Sequence, residues 1–354
     1  MTATLDSIET PAFVVREAVA LRNIEAFQRH CDKVELALRP HIKTHKLIRF
    51  AKAQVRAGAR GITCQKIGEA EVMADGGLDD ILITYNILGP EKLARLRALA
   101  DRQAHLAVVA DSETVVAGLS RAFADALRPL GVLVECDTGG RRCGLQTPAA
   151  ALALARRIAA APGLRLGGLM TYPAAGGAAA AAAFLTEARD LLLGAGLECP
   201  VVTSGGTPDM WSAEPADILT EYRAGTYIYN DRSLVQRGTC SWDDCAGHVL
   251  TTVVSTPTPD RAVIDAGSKV LSSDLSGLSD HGHVLGRPEI RITGLSEEHG
   301  VLAVDPKQPL KIGERIRIVP NHVCVVSNLF DRIWIEAEDG RLDEVAVDAR
   351  GRVT

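Results

Sequence analysis

Four short clusters in this 354-residue chain carry side chains able to do chemistry. The first, Arg39-Pro40-His41-Ile42-Lys43-Thr44-His45-Lys46, closes an apolar run and crowds one lysine with titratable and basic neighbours. Such company is expected to depress the Lys43 pKa and favour a neutral amine, the form that adds to a carbonyl to make an imine. A solvated basic turn is the ordinary meaning of one lysine before a helix. Here that meaning must also account for two histidines and a proline around it at a strand end. The second cluster, Ser204-Gly205-Gly206-Thr207-Pro208, follows the apolar run CPVVT. Consecutive glycines let backbone N–H groups converge on an anion, and the hydroxyls add donors. Alone, the same residues make a plain tight turn. Arg223-Ala224-Gly225-Thr226-Tyr227 comes one strand–helix unit later, and phosphate sites in barrels are often built from the last two such loops.

The third cluster is Glu135-Cys136-Asp137-Thr138-Gly139-Gly140-Arg141-Arg142-Cys143-Gly144. An arginine on a glycine-rich loop can offer its planar fork to a phenolate or phosphate oxygen, although an ordinary surface salt bridge uses the same residues. The fourth is Pro320-Asn321-His322-Val323-Cys324. In a strand, positions i and i+2 point to one side, so His322 and Cys324 are expected to face together. Imidazole plus thiolate suits zinc, and two protein ligands leave positions open for substrate or water. A half-buried histidine beside a core cysteine is the commoner meaning of such a triplet.

The elements that must hold these clusters are legible in the pattern. Apolar runs VELALRP, GITCQK, DILITYN, HLAVVAD, GVLVECD, RLGGLMTY and CPVVTSG alternate with helical periodicity over 46–57, 67–76, 90–100, 112–127, 148–161 and 179–195. Several helices stop at glycine: Gly58, Gly76 and Gly196. Seven or eight strand–helix units imply parallel strands, and no GxGxxG follows the first, which favours a (β/α)8 barrel over a doubly wound sheet. Beyond about 230, the stretches 250–255, 261–265, 289–293, 300–304, 314–320, 323–328 and 332–338 read as strands without helical periodicity. We therefore expect a barrel over 10–230 and a mainly-β domain from 1–9 and 231–354, with the early run TPAFVV a candidate to join the latter.

Composition sets the outer limits. The net charge is only -5 and no Lys/Arg stripe appears, so nucleic acid is not an expected partner. No apolar stretch is long enough to span a bilayer, and the N-terminus lacks a basic segment followed by an apolar one. The eight scattered cysteines form no CxxC pair and read as reduced thiols, so the cytoplasm is the expected compartment.

At RPHIKTHK, TCQKIGEAE, TGGRRCG, SGGTP and PNHVC the chain resembles the D-threonine aldolase and D-serine dehydratase family. This is the metal-dependent branch of the alanine-racemase-like, fold-type III enzymes that use pyridoxal 5'-phosphate (PLP). The resemblance spans TPAFVV to VPNHVCVVSNLFD, essentially the whole chain. It implies that Lys43 is the Schiff-base lysine and that Arg142 meets the cofactor ring oxygen. Ser204, Gly205, Gly206 and Thr207 would bind the phosphate, closed by Gly225, Thr226 and Tyr227. Tyr172, in GGLMTYP, would lie beside the cofactor as a second catalytic residue, and Gln65 would contact cofactor or substrate. His322 and Cys324 would hold a divalent ion, zinc or manganese.

The two subgroups differ in ways this chain mixes. RPHIKTHK and TCQKIGEAEVM resemble the aldolases, which usually carry His-x-Asp at the metal and a histidine where this chain has Pro173; His322-x-Cys324 and SGGTP resemble the dehydratases. The resemblance thus implies a lyase of β-hydroxy-D-amino acids, working as a homodimer, with aldol cleavage placed ahead of elimination to a 2-oxo acid and ammonia. A racemase would need no metal, and a non-catalytic PLP carrier would lack the second domain.

Overall fold

The computed structural model describes residues 3–215 and 218–354; Met1 and Thr2, the start of the segment assigned above to the β domain, lie outside the described residues. The chain divides into two compact units. One comprises Met1–Ile24, Thr44–Leu47 and Thr226–Gly351, the other Glu25–Lys43, Ile48–Gly225 and Arg352–Thr354. In order, the chain forms β1 (Ala12–Arg16), α1 (Glu17–Lys33), β2 (Ala37–Leu38), α2 (Ile48–Ala57), β3 (Ile62–Cys64), α3 (Ile67–Asp75), β4 (Asp80–Ile83) and α4 (Pro90–Arg102). Next come β5 (His105–Ala110), α5 (Glu113–Phe123), β6 (Leu130–Cys136), α6 (Pro148–Ala160), β7 (Leu164–Thr171), α7 (Ala178–Gly194), β8 (Val201–Ser204) and β9 (Glu221–Tyr222). The remainder is α8 (Arg232–Gln236), β10 (Gly247–Thr258), β11 (Arg261–Ile264), α9 (Ser268–Leu271), β12 (His283–Val284), β13 (Arg291–Leu295), β14 (Gly300–Ala303), β15 (Arg315–Val319), α10 (Val323–Leu329), β16 (Arg332–Glu336) and β17 (Leu342–Ala346).

Strands β2 to β9 hydrogen-bond in the order β2-β9-β8-β7-β6-β5-β4-β3, every pair parallel. The Thr63 N–H donates to the Pro40 carbonyl and His41 bridges Thr63, so the two end strands meet and the sheet returns on itself as a (β/α)8 barrel. Helices on the outside bury both faces of each strand, which is why β6 is apolar almost throughout and buried at all seven positions. The helices follow the sequence pattern closely: α6 has Pro148 in its first turn and Thr147 accepting from the Ala150 N–H as its cap. α3 does stop at Gly76, although the residue that turns left-handed is the next one, Gly77, at φ 86.

The other unit is a nine-stranded sheet in the order β13-β14-β11-β10-β1-β16-β17, with β15 pairing both β10 and β12. β1, the run TPAFVV, joins it, antiparallel to β10 and parallel to β16. One expected strand is a helix. Residues 323–328 are rich in valine and read as β, yet they form α10, because a buried carboxylate elsewhere takes the Val323 N–H at its start. Tertiary context outweighs β-propensity here.

Burial has a cost at His248 in β10. Its ring is fully buried, and among the described residues neither nitrogen has a hydrogen-bond partner. Burial, reinforced by Arg317 and Arg16, holds its pKa down to about 3, against 6.5 for a free imidazole. Between those values the unfolded chain binds the extra proton and the folded one does not, so stability is lost as pH falls through that window. The slope is on the order of 1.4 kcal/mol per pH unit. We expect His248→Leu to lose roughly 2 kcal/mol less than the wild type between pH 6.5 and pH 5 in urea unfolding. Parallel losses in both proteins would assign the acid sensitivity to other groups.

Candidate active site

In the barrel unit the sequence-predicted residues gather at the C-terminal ends of the strands, where barrel enzymes place reactive groups. Lys43 lies just past β2 in a tight helical turn, Ile42–Thr44. Its backbone N–H donates to His41 Nδ1 at 3.3 Å, and His41 Nε2 meets Gln65 Oε1 at 3.1 Å. Gln65 Nε2 in turn donates to the Thr84 carbonyl at 2.8 Å, past β4. These partners agree with one assignment: Nδ1 accepts, so Nε2 carries the proton and donates to the amide oxygen. Gln65 is thereby tied to the strand end that carries Lys43.

Arg39 does not join this cluster. Its guanidinium bonds Glu221 Oε2 at 2.7 Å and Asp80 Oδ1 at 2.6 Å, both at the starts of their strands. The lysine's basic company is therefore smaller than the sequence suggests. His45 and Lys46 belong with the other unit, where the His45 Nδ1 accepts from the Leu47 N–H and Lys46 Nζ reaches the Ala349 carbonyl.

The glycine loop past β8 has the form of an anion cradle. Gly205 sits at φ 110 against the Tyr222 ring, where a Cβ would fall 2.4 Å from the ring carbon Cζ, so only glycine fits. The Tyr222 hydroxyl donates to the Gly206 carbonyl at 2.9 Å, and burial pushes its pKa up to about 12, which keeps it a donor. Thr207 Oγ1 accepts the Gly225 N–H, joining this loop to the one past β9. Among the described residues no acceptor takes the N–H of Gly205 or Gly206. Both are therefore open to an acceptor from a ligand.

Arg223, to which the sequence motif assigns no role, strengthens that reading. Its guanidinium is buried and, among the described residues, bonds only neutral groups, Thr203 Oγ1 at 2.9 Å and the Thr171 carbonyl. Burial holds its pKa down to about 10, opposed by Glu221 and Glu135, neither within ion-pair distance. A buried cation without a carboxylate partner is costly unless an anion completes it. A cation at a strand end just before a glycine is the signal that could have found it.

Arg142 and Tyr172 come together: the Arg142 Cζ lies 5.0 Å from the Tyr172 ring centroid. The ring also lies over Gly206, where a Cβ would be 3.2 Å from its Cε2. The Arg142 loop is held by Asp137, whose Oδ1 accepts from the N–H groups of Gly139 and Arg141. Beneath it, burial and then Asp111 push Glu135 up to about 7, against the pull of Arg142 and Arg223. The donors and the unpaired buried cation of this unit fit a phosphate-bearing aldehyde cofactor.

In the β unit, His322 and Cys324 come together, though not on a strand. His322 is the extended residue that caps α10, and Cys324 lies in its first turn. Burial disfavours the charged imidazole, but hydrogen bonds from it to Asp231 and to Cys324 outweigh burial and push its pKa up to about 11. Cys324 Sγ also lies 3.1 Å from Thr44 Oγ1 and 3.4 Å from Thr226 Oγ1, so Thr226 faces the thiol. Tyr227 is buried in the same unit. Among the described residues no group of three His, Cys, Asp or Glu side chains is placed to hold a metal. The pair thus fits a two-ligand site whose remaining positions stay open.

Comparison with known proteins accords with this geometry. The model of the alanine racemase N-terminal domain matches residues 17–233, and that of a putative serine dehydratase domain matches 246–335. A D-threonine aldolase of an Arthrobacter species is 34% identical over 365 residues, covering 98% of this chain and 94% of that one. The crystal structure of D-threonine aldolase from Filomicrobium marinum superposes with a TM-score of 0.90 at 31% identity, over 100% of this chain and 99% of that one. A cysteine-to-alanine mutant of D-threo-3-hydroxyaspartate dehydratase, in its metal-free form, gives 0.90 at 32% identity over 97% and 98%. No helix among the described residues is long and apolar enough to cross a membrane. The chain belongs to the D-threonine aldolase and D-serine dehydratase family of alanine-racemase-like lyases.

Proposed function

We propose that the protein is a PLP- and divalent-metal-dependent lyase that cleaves β-hydroxy-D-amino acids to glycine and an aldehyde. The observation that carries this reading is the pairing, in one barrel, of a lysine at the end of β2 with a glycine cradle past β8 whose N–H groups find no acceptor among the described residues. When bound, PLP supplies an electron sink for charge at the substrate Cα, and zinc or manganese supplies a Lewis acid. Lys43 Nζ would hold the cofactor at its aldehyde carbon. The N–H groups of Gly205 and Gly206 would bind the phosphate, with the hydroxyls of Ser204 and Thr207 and the Gly225 loop beside them in the same unit. Arg142 orients the ring oxygen, and Tyr172 lies against that arginine. Gln65, fixed by His41 and the Thr84 carbonyl, offers an oriented amide beside the lysine. His322 and Cys324 hold the metal. As the Cα–Cβ bond breaks the β-hydroxyl gives up its proton and becomes the aldehyde carbonyl, and Lys43 Nζ would deliver a proton to Cα of the departing glycine.

A second reading rests on Cys324. A dehydratase relative is described as having a metal-free form, and the mutated residue in that structure is a cysteine. In that reading Lys43 Nζ removes the Cα proton and the products are a 2-oxo acid and ammonia. The test is to incubate the enzyme with D-threonine, D-serine and D-threo-3-hydroxyaspartate and analyse the products. Glycine with an aldehyde from D-threonine is the expected outcome, and L-threonine should be inert. A 2-oxo acid from D-threo-3-hydroxyaspartate without any glycine would replace cleavage by elimination.

A further inference from the structure

The Asp231 carboxylate, fully buried just before α8, carries four hydrogen bonds. Its Oδ1 accepts from Ser233 Oγ at 2.7 Å and from the Leu234 N–H at 3.2 Å, capping α8. Its Oδ2 accepts from the Val323 N–H at 3.2 Å and meets His322 Nδ1 at 3.1 Å. Both oxygens are thus committed as acceptors, which leaves His322 Nδ1 only the role of donor. With Nδ1 committed to Asp231, Nε2 is the one ring nitrogen that can give up its proton and offer a lone pair to a metal. The same Oδ2 also fixes the first amide of α10, which lies between His322 and Cys324 in the chain. One carboxylate therefore sets the tautomer of one ligand and the backbone that spaces it from the other.

We propose that Asp231 is a positioning residue that preorganises His322 and Cys324 for the metal. It does so by holding His322 as the Nδ1–H tautomer. The inference rests on the reading of that pair as metal ligands. A carboxylate partner of this kind typically changes metal affinity by 10- to 100-fold.

Asp231→Asn separates the contributions. Asparagine is as good a helix cap as aspartate, so α8 keeps its first turn. Its amide, however, turns either donors toward the His322 ring, which stabilises the wrong tautomer, or its oxygen, which abandons the cap. The experiment measures zinc affinity of the purified full-length enzyme, stripped of metal, by competition with a chromophoric chelator. Wild type, Asp231→Asn, His322→Ala and the double variant are compared. The expected result is a roughly 10- to 100-fold loss for Asp231→Asn, with no further loss when the change is added to His322→Ala. Should the asparagine variant not fold, Asp231→Ser serves with the same expectation, because serine still caps α8 but has no arm reaching His322.

The outcomes are distinguishable. Wild-type enzyme that binds no zinc overturns the metal reading itself and this inference with it. Zinc bound as tightly by Asp231→Asn as by wild type overturns the inference alone. An equal loss in the presence and absence of His322 makes Asp231 a support of the local backbone, and also overturns it.

Discussion

Lys43→Ala is expected to remove the yellow colour of covalently held PLP and to lower turnover by at least about 10^3-fold, since both cofactor attachment and proton movement at Cα pass through Nζ. The expectation follows from placement. Lys43 sits at a strand end of the barrel that carries the Gly205–Gly206 cradle and the buried guanidinium of Arg223. The variant should still fold, because Lys43 is a half-buried turn residue and the bond from its backbone N–H to His41 survives the substitution. Absorption spectra and D-threonine turnover, compared with melting temperature, check this directly. An unchanged chromophore in Lys43→Ala would move the assignment to another amine.

The second large effect belongs to the metal pair. His322→Ala should lower activity to the level of the chelated enzyme, with the chromophore nearly intact, because the change touches the metal and not the cofactor's attachment. Added metal should not rescue it. Cys324→Asp is the more informative change, since it exchanges a soft ligand for a hard one. Retained activity with a preference moved from zinc toward manganese or magnesium is the expected result. If the two residues merely packed beside α10, both variants would lose stability and show no change in metal dependence. Metal-dependent turnover measured alongside thermal melting separates the two cases.

Much of this was legible in the sequence because barrel units carry strong local signals. Continuous apolar runs such as GVLVEC bounded by helical periodicity have few other structural meanings, and β6, β7 and β8 lie where those runs predict. The weak points were short or context-dependent. β9 is only Glu221–Tyr222, too brief to show a period, and α1 went unrecognised between two strands. α10 reads as a strand because valine dominates it, and its helical start depends on Asp231, about ninety positions earlier in the chain. The site divides in the same way. Motifs with fixed spacing, GGT and HVC, could be found locally. Arg39 could not be excluded from the lysine's surroundings, because its partners Asp80 and Glu221 come together only in the folded sheet. The tie from His41 through Gln65 to Thr84 is equally a product of adjacent parallel strands.

The proposed function requires one chain to hold both a lysine-bound cofactor and a catalytic divalent ion for cleavage of β-hydroxy-D-amino acids. The most direct measurement is glycine release from D-threonine by the PLP-loaded enzyme before chelation, after exhaustive chelation and after return of zinc or manganese, with metal content determined at each stage. The account predicts that chelation abolishes glycine release while the chromophore persists, and that returning the ion restores it. Full glycine release from a protein that contains no measurable metal would contradict it.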